Sequence, residues 1–393
     1  MSDYLYQRTR QYFGQLSSGT EKCGEQELQE LGATNIKPGY LGVYFCADQR
    51  TLYRIVYGSR IFTRFLAPLI AFDCHSSKYL HKTAQNINWA DFLTLTKTFA
   101  ITANVADSNI RNSQYAGQVL KDAIADQFRE KCGERPSVDT HNPDLQLNLY
   151  IHENKARISV DLGGGSLHKR GYRAESVEAP MQETLAAAIL RLSEWNGERP
   201  LYDPFCGSGT LLCEAHMKAA RIPAAFLRKK FGFLRLPDFD AAVWNQVKTQ
   251  ANAEITVATP ASLSRGEDAA STSLIAGSDI NADAVKAVRA NRKALPGGEE
   301  IKVRRADFHT LEGFKNTTIV TNPPYGIRLG NAEETALLLK EFGDFLKQRC
   351  TGSTAFIYYG EPTLVKKLGL KPEWKQPLRA GGLDGTLCKY ALY

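Results

Sequence analysis

The sequence of 393 residues predicts an α/β protein in which an N-terminal α+β region precedes a doubly wound, Rossmann-like domain. Three observations carry this prediction. In residues 1–165, β-rich runs and amphipathic helices mix without regular alternation, which is typical of α+β structure. Beyond residue 180, strand-like runs alternate with helical patterns, which indicates a parallel sheet with helices on both faces. The glycine cluster at 163–165 separates the two patterns.

Apolar periodicity predicts the elements of the N-terminal region. Residues 25–31 carry a helical pattern that stops at Gly32, and residues 115–128 repeat apolar side chains at helical spacing. Short β-rich runs predict strands over residues 41–45, 99–105, 145–152 and 156–162.

In the C-terminal region the alternation is regular, with one interruption. Residues 221–276 hold a basic aromatic run at 228–233, a helical pattern around 241–251 and a Thr/Ala/Ser-rich surface loop at 256–273. Residues 378–393 read as a closing hairpin. We predict strands over 201–205, 274–280, 301–306, 317–321 and 354–359, and helices over 210–220, 282–294, 333–348 and 362–368.

Composition limits the classes of function. The formal charge of +7 and the pI of about 8.8 favour an anionic partner. Both values are less basic than those of a dedicated nucleic-acid-binding module. The eight cysteines form no C-x-x-C pair, so we expect a reducing compartment, no disulfide framework and no metal site. The N-terminus lacks a signal peptide and no apolar run approaches a membrane span. We therefore expect a soluble, cytoplasmic protein without membrane contact.

The strongest functional signal is a strand that runs into a glycine turn. Gly207 and Gly209 allow a sharp turn and close approach of a ligand before a helix begins at Thr210. Ligands bind at this carboxyl end of strands in open parallel sheets. The segment lacks the dinucleotide and P-loop signatures, and a turn needed only for strand-to-helix geometry is the alternative. The candidate cofactor residues of this turn are Asp203, Pro204, Phe205, Cys206, Gly207, Ser208, Gly209 and Thr210.

Two aspartates end later strands of the same predicted sheet. Asp279, followed by Ile280, can accept hydrogen bonds from both hydroxyls of a ribose. Asp307, followed by Phe308, can accept a hydrogen bond from an adenine amino group. Each aspartate alone could be a helix cap, but with Asn322 after a fourth strand they predict one ligand along the sheet edge.

The stretch TNPPYG, residues 321–326, ends that fourth strand. Pro323 and Pro324 cannot continue a strand or a helix, so they stiffen the backbone around Asn322 and Tyr325. This rigidity fits a fixed surface presented to a substrate, and an ordinary strand exit is the alternative.

These motifs resemble a known family. DPFCGSGT at 203–210 and NPPY at 322–325 resemble the S-adenosylmethionine-dependent methyltransferases of exocyclic base amines. Residues 111–115 (RNSQY) and 121–124 (KDAI) resemble the RNA-binding THUMP domain, with further support from LHKRGYR and ETLAAAI. From about residue 40 to 393, the chain is similar to the bacterial guanine-N2 methyltransferases of large-subunit ribosomal RNA, in a form with one catalytic domain. Ile327 departs from the acidic residue common after NPPYG.

The resemblance implies domains, ligands and roles. It implies a ferredoxin-like segment at 1–60, a THUMP-like domain at 61–165 and a methyltransferase domain at 166–393. S-adenosylmethionine would be the cofactor, 23S ribosomal RNA the partner, and a monomer is favoured. Catalysis is assigned to Asn322, Pro323, Pro324 and Tyr325, and Glu183 and Leu185 join the cofactor residues. RNA contacts are assigned to Arg111, Asn112, Gln114, Tyr115, Lys121, Lys169, Arg170, Arg173 and Arg328.

Several alternatives stay open on the sequence. They are methylation of transfer RNA, methylation of adenine N6 or cytosine N4 in DNA, and a non-catalytic ribosome assembly factor with a vestigial pocket. The THUMP-like segment argues against DNA. Cys206 as a nucleophile is disfavoured because it lies within the cofactor turn. The run at 228–233 is either a second RNA contact or an insertion that packs against helices.

Overall fold

The computed structural model describes residues 3–175, 180–256, 274–324, 332–380 and 383–393. The chain divides into two compact units. The N-terminal unit comprises residues 1–16, 24–167 and 228–249, and the C-terminal unit comprises residues 17–23, 168–227 and 250–393. The limits of the three predicted domains stay predictions.

One mixed sheet forms the centre of the N-terminal unit. All its neighbouring strands pair antiparallel except the fifth and sixth, which are parallel. The sheet runs through both predicted N-terminal domains, so the ferredoxin-like and THUMP-like segments share it. The strands of the described residues are β1 (Gln11–Gln15), β2 (Thr34–Gly39), β3 (Gly42–Cys46), β4 (Arg64–Asp73), β5 (Phe99–Ala106), β6 (Leu145–His152) and β7 (Lys155–Asp161), in the order β2-β3-β1-β4-β7-β6-β5.

The strand β4 was not predicted, although it lies in the middle of the sheet. Its sequence RFLAPLIAFD is apolar without alternation and contains Pro68, which argues against a central strand. The register against β7 shifts between Pro68 and Ile70, so a bulge accommodates the proline.

Five helices begin in the first third of the chain. The fifth begins at an Asn112 cap, whose side-chain oxygen accepts a hydrogen bond from the Tyr115 N–H at 2.9 Å, and ends at Gly133. It extends the predicted helix by two residues at its start and four at its end. These helices are α1 (Leu5–Thr9), α2 (Glu21–Glu30), α3 (Gln49–Gly58), α4 (Ser77–Ala84) and α5 (Ser113–Cys132).

The C-terminal unit is built on a second sheet, whose first five strands are parallel as predicted and whose last hairpin is antiparallel. The strand order reverses between β8 and β11, and ligands bind at such a switch point in open α/β sheets. The strands are β8 (Leu201–Asp203), β9 (Ile275–Asp279), β10 (Lys302–Arg305), β11 (Thr318–Thr321), β12 (Thr354–Tyr359), β13 (Trp374–Ala380) and β14 (Leu383–Ala391), in the order β10-β9-β8-β11-β12-β14-β13.

Helices cover both faces of this sheet, which confirms the predicted doubly wound class. One buried cluster includes Ile189, Leu212 and Val288, and a separate one includes Phe342 and Leu368. The helices of this unit are α6 (Glu183–Leu192), α7 (Thr210–Ala219), α9 (Ala282–Arg292) and α10 (Ala332–Arg349), and a 3-10 helix spans Pro362–Leu368. The remaining helix, α8 (Ala241–Ala253), lies up to residue 249 in the N-terminal unit.

The run at 228–233 packs into the N-terminal unit. Phe231 and Phe233 are buried and stack with ring centroids 4.9 Å apart. Both rings also contact Trp244 of α8, and Phe233 contacts Tyr53 of α3. The aromatic side chains are therefore core residues of a packing insertion, and the suggestion that they contact RNA is wrong.

The described residues show neither a membrane-spanning helix nor a metal-binding cluster. None of the helices in those residues is long and apolar enough to cross a membrane. Within the same residues, no group of three or more His, Cys, Asp or Glu side chains is arranged to hold a metal ion. The predicted loop at 256–273 lies outside the described residues except for Thr256.

Candidate active site

A cavity lies where the central parallel strands of the C-terminal unit end. The strands β8, β9 and β11 finish at Asp203, Asp279 and Thr321, and Asn322 follows directly. Because parallel strands end at one edge of a sheet, residues far apart in sequence meet here. Residues from the predicted turn and strand exit line the cavity: Asp203, Phe205, Cys206, Gly207, Ser208, Thr210 and Asn322.

The glycine turn has the conformation that the sequence predicts. Gly207 has φ +51° and Gly209 has φ +80°, in the left-handed region where a side chain is strained. A Cβ at Gly209 would also lie 2.8 Å from Cγ1 of Val288, whereas a Cβ at Gly207 would meet no atom within 4 Å. Gly209 is thus required by conformation and packing, and Gly207 by conformation alone.

The Asp279 carboxylate is fixed beside this turn. One oxygen accepts a hydrogen bond from the Gly207 N–H at 2.9 Å, and the other accepts one from the Asn281 N–H at 2.9 Å. Each carboxylate oxygen can accept a further hydrogen bond, as the predicted ribose contact requires. Ile280 is 62% exposed and offers an apolar surface next to it.

Asp203 is completely enclosed at the end of β8. Its Oδ1 accepts hydrogen bonds from the Thr321 hydroxyl at 2.5 Å and from the Phe205 N–H at 3.1 Å. Burial raises the pKa of Asp203 to about 7, and the nearby Asp279 carboxylate adds to the rise while the two hydrogen bonds oppose it. The carboxyl group can therefore change its charge near neutral pH.

Cys206 is buried in the same turn. Burial raises the pKa of its thiol well above the ordinary value, with the Asp203 and Asp279 carboxylates as further causes. A thiol held in this protonated form is a poor nucleophile. This agrees with the assignment of Cys206 to the lining of the cavity.

Asp307, the third predicted aspartate, is partly occupied by hydrogen bonds from His309. Burial alone would raise the pKa of Asp307, but hydrogen bonds from the His309 N–H and ring lower it below the ordinary value. Its Oδ1 caps a 3-10 helix over Phe308–Thr310, so Oδ2 is the oxygen left for an adenine. The Phe308 ring is 3% exposed and packs against Phe205 and Phe342, so its side chain is part of the core, and the contact of this residue with the cofactor stays a prediction.

Asn322 carries the most informative polar atom of the cavity. Its Oδ1 is buried and has no hydrogen-bond partner among the described residues. Such an acceptor costs free energy unless a ligand or water satisfies it. Pro323 and Pro324 follow directly, while the predicted site residues Tyr325 and Arg328 lie outside the described residues.

Arg173 supports the turn instead of facing an RNA phosphate. Its guanidinium donates hydrogen bonds to Glu183 at 2.9 Å, to Ser208 Oγ at 2.9 Å and to Thr210 Oγ1 at 3.0 Å. The Glu183 carboxylate forms an ion pair with Arg173, and Glu183 does not line the cavity formed by the described residues. Leu185 is 5% exposed and belongs to the core, and its contact with the cofactor stays a prediction.

Arg170 is also misassigned by the sequence. It is 2% exposed, and its guanidinium pairs with Glu214 of α7, which is 1% exposed. Its predicted contact with RNA is wrong, because a buried and neutralised guanidinium cannot reach a phosphate. The neighbouring Lys169 is exposed.

The other predicted RNA residues gather at the start of α5. Arg111, Asn112, Gln114 and Tyr115 are exposed. Lys121, further along the helix, forms an ion pair with Asp122 at 2.8 Å, which reduces its availability. The four exposed side chains and the N–H groups of the helix start suit an anion.

Sequence reasoning missed five residues of the site. Thr321 holds Asp203, and the side chain of Asn291 on α9 accepts from the Ala174 N–H and donates to the Ser208 carbonyl. Pro180, Met181 and Leu211 line the cavity. Thr321 adjoins the quoted NPPY motif, so it could have been found, whereas Asn291 sits in an ordinary helical pattern without any signal.

Comparison with known proteins decides the family. Residues 170–389, more than half of the chain, match the model described as "RMKL-like, methyltransferase domain". This chain belongs to the RMKL-like methyltransferase family. Residues 75–161 match the THUMP domain and residues 11–66 match the RlmL ferredoxin-like domain. These matches confirm the predicted combination of a ferredoxin-like segment, a THUMP domain and a methyltransferase domain.

Individual relatives agree with this assignment. A Synechocystis sp. protein named "putative RNA methyltransferase" is 36% identical over 98% of this chain and 97% of its own length. The ribosomal RNA large subunit methyltransferase K/L of Vibrio parahaemolyticus is 36% identical over 97% of this chain and 53% of its own, so this chain spans about half of that RMKL-like relative. The crystal structure of SMU.472, described as a putative methyltransferase complexed with SAH, is 25% identical and covers 98% of both chains with a TM-score of 0.80.

Proposed function

We propose that this RMKL-like protein transfers a methyl group from S-adenosylmethionine to the exocyclic N2 amine of a guanine in RNA, with 23S ribosomal RNA as the substrate. The observation that carries the proposal is the buried Oδ1 of Asn322, which has no hydrogen-bond partner within the described part of the chain and lies in the cavity at the strand ends. An amine N–H is the natural donor to such an oxygen. The family membership and the K/L relatives support RNA as the substrate class.

The residues at the strand ends fit S-adenosylmethionine. Asp279 presents a fixed carboxylate for the ribose hydroxyls, exposed Ile280 offers an apolar surface for the adenine, and the turn at Gly207 leaves open space. When bound, S-adenosylmethionine supplies a methyl group on a positively charged sulfur. The carboxyl group of Asp203 lies at the base of the cavity, where its oxygen is oriented by Thr321.

Asn322 and the prolines that follow account for activation of the amine. The lone pair of guanine N2 is delocalised into the ring, so the amine is a weak nucleophile. Asn322 Oδ1 and the Pro323 carbonyl would each accept a hydrogen bond from one of its N–H groups, which favours a pyramidal nitrogen and stabilises its developing positive charge. The methylated nitrogen would then release one proton to solvent. The rigid backbone of Pro323 and Pro324 keeps this alignment, and an error of about 1 Å can lower a rate roughly a hundredfold.

Two further parts of the chain would hold the RNA. Tyr325 is proposed from its place in the NPPY motif to stack on the flipped base. Arg111, Gln114 and Tyr115 at the start of α5 would contact the RNA backbone and position it without reading its sequence. With RNA as the substrate, we place the protein in the cytoplasm.

The test is to identify the methylated product. The full chain is incubated with S-adenosylmethionine labelled in its methyl group and with large-subunit ribosomal RNA, transfer RNA or DNA, and each is digested to nucleosides for mass spectrometry. We expect labelled N2-methylguanosine from ribosomal RNA. Label in methyladenine or methylcytosine would contradict the base assignment, and label in transfer RNA alone would contradict the substrate. Binding of the cofactor without any transfer would favour an assembly factor.

A further inference from the structure

A second groove lies on one face of the sheet in the N-terminal unit. Side chains on neighbouring strands meet on this face because their positions are paired: Phe13 with Tyr44, Asn148 with Ser159, and Tyr150 with Arg157. All six of these side chains line the groove, which has a volume of about 330 Å³. Small-molecule sites in proteins span about 300–1,000 Å³, so this groove is large enough to hold a ligand.

The aromatic side chains of the groove present flat surfaces. Tyr150 is 36% exposed and stacks with His152 at a centroid distance of 6.2 Å and an angle of 12°. Phe13 and Tyr44 are half-buried with their ring centroids 4.9 Å apart. Exposed rings on a sheet are suited to stacking on bases, because every base has a π-face.

Two buried polar atoms in the groove have no partner among the described residues. Ser159 is 1% exposed and its Oγ forms no hydrogen bond. Arg157 donates from Nη1 to the Tyr44 hydroxyl at 3.0 Å, but its buried Nε has no acceptor. Burial of an unsatisfied polar group costs about 1–3 kcal/mol, so these atoms indicate a polar ligand rather than a purely apolar one.

The charge of the groove selects the class of ligand. Among the described residues that line it none is acidic, and Arg157 carries a permanent positive charge. A carboxylate beside the lining, that of Asp107, pairs with His152 at 3.4 Å. The guanidinium lies 5.3 Å from the Tyr44 ring centroid, which holds it over an aromatic face. Amide side chains at Asn104 and Asn148 add donors and acceptors suited to base edges. Rings, amides and a cation together match a nucleotide.

We propose that this groove binds unstacked nucleotides of single-stranded RNA, with a base on Tyr150 and a phosphate or base edge at Arg157 and Ser159. The proposal rests on the proposed function in one respect, namely that the substrate is RNA. It adds a docking site on the sheet of the N-terminal unit, separate from the residues at the start of α5.

The first test uses the variant Tyr150→Trp in the full chain as a fluorescent probe, with the wild type as the reference for the four native tryptophans. Single-stranded RNA of about ten uridines should quench the fluorescence of the introduced indole by stacking. An abasic oligonucleotide with the same number of phosphates should leave that fluorescence unchanged. Quenching by both, or by neither, would overturn the proposal, and the latter would favour a protein segment as the occupant.

The second test compares binding of the same RNA by matched variants. Tyr150→Ala should weaken binding about 5- to 100-fold, as expected for loss of one stacked base, whereas Tyr150→Phe keeps the ring and should bind like the wild type. Tyr79→Ala removes an exposed tyrosine of α4 that does not line the groove, and should have no effect. Equal binding by Tyr150→Ala and wild type would overturn the proposal.

Methyl transfer by the wild type separates this proposal from the proposed function. If the wild type methylates RNA while Tyr150→Ala binds normally, the groove is wrongly assigned and the catalytic proposal stands. If RNA quenches the fluorescent probe but the wild type methylates no RNA, the groove is correctly assigned and the catalytic proposal fails.

Discussion

The buried oxygen of Asn322 leads to a sharp expectation. Asn322→Ala should lower the rate of methyl transfer about 100- to 1,000-fold, as seen when one preorganised polar contact to a reacting group is lost. Cofactor affinity measured by calorimetry should change little, since Asp279 and the glycine turn are untouched. Asn196→Ala, at an exposed position of the same unit, is the control and should behave like the wild type. Equal losses of cofactor affinity and rate would contradict the role in catalysis.

Asp203 should make stability depend on pH. Its pKa is about 7 in the folded protein and about 3.9 in an unfolded chain, so between these values the folded state holds the extra proton. The free energy of unfolding should therefore fall as pH rises from about 4 to 7, by at most a few kcal/mol.

The measurement is urea unfolding at several pH values. Asp203→Asn cannot ionise but keeps an oxygen for the Thr321 hydroxyl, so it should flatten the decline. Asp344→Asn, at an exposed position of α10, is the control and should keep the decline of the wild type. Parallel curves for Asp203→Asn and wild type would show that the carboxyl group ionises normally.

The turn between β8 and α7 contains two glycines that are required for different structural reasons. Gly207→Ala should cost about 1–2 kcal/mol for its left-handed conformation, and Gly209→Ala should cost more because its Cβ meets Val288. Adding Val288→Ala should recover part of the extra loss in the Gly209 variant and none in the Gly207 variant. The free energies of unfolding of the four variants decide this. Equal costs at the two glycines would contradict the packing argument.

The start of α5 should contribute to RNA affinity through charge. The logarithm of the RNA-binding constant falls with the logarithm of the salt concentration, and each lost phosphate contact makes this slope less steep by about 0.7–0.9. We expect a change of this size for Arg111→Ala. Lys121→Ala should change the slope less, because Asp122 already pairs with Lys121. Lys347→Ala, at an exposed position of α10 in the other unit, is the control. An unchanged slope in Arg111→Ala would count against the THUMP contact.

The insertion at 228–249 belongs physically to the N-terminal unit, although it comes later in the chain. Phe233 is fully buried between Tyr53 and Trp244, so Phe233→Ala should destabilise that unit by about 3–5 kcal/mol. Hydrogen exchange should then accelerate in β4 and β7 but not in β12. Lys229→Ala, at an exposed neighbour, should leave exchange unchanged. Faster exchange confined to β12 would contradict the placement of the insertion.

Several parts of this architecture were predictable because their causes are local. The turn at Gly207 and Gly209 follows from residues within a few positions of each other, and β6 and β12 begin and end where apolar patterning predicts. The strand β4 was missed because the bulge that accommodates Pro68 depends on its pairing with β7. That pairing joins residues about ninety positions apart and leaves no local signal.

The amino-acid order was sufficient for the two classes of fold, the methyltransferase motifs and the carboxylate beside the turn, since periodicity and glycine conformation act over short distances. Which basic side chains can reach a ligand, and how the Asp203 carboxyl group is protonated, depend on the tertiary structure. Arg170 is neutralised by Glu214 and Arg173 by Glu183, and Asp203 owes its raised pKa to enclosure by strands distant in sequence. Burial and pairing arise from contacts across the fold, so the same basic pattern at 168–173 could not reveal that two of its arginines face inward.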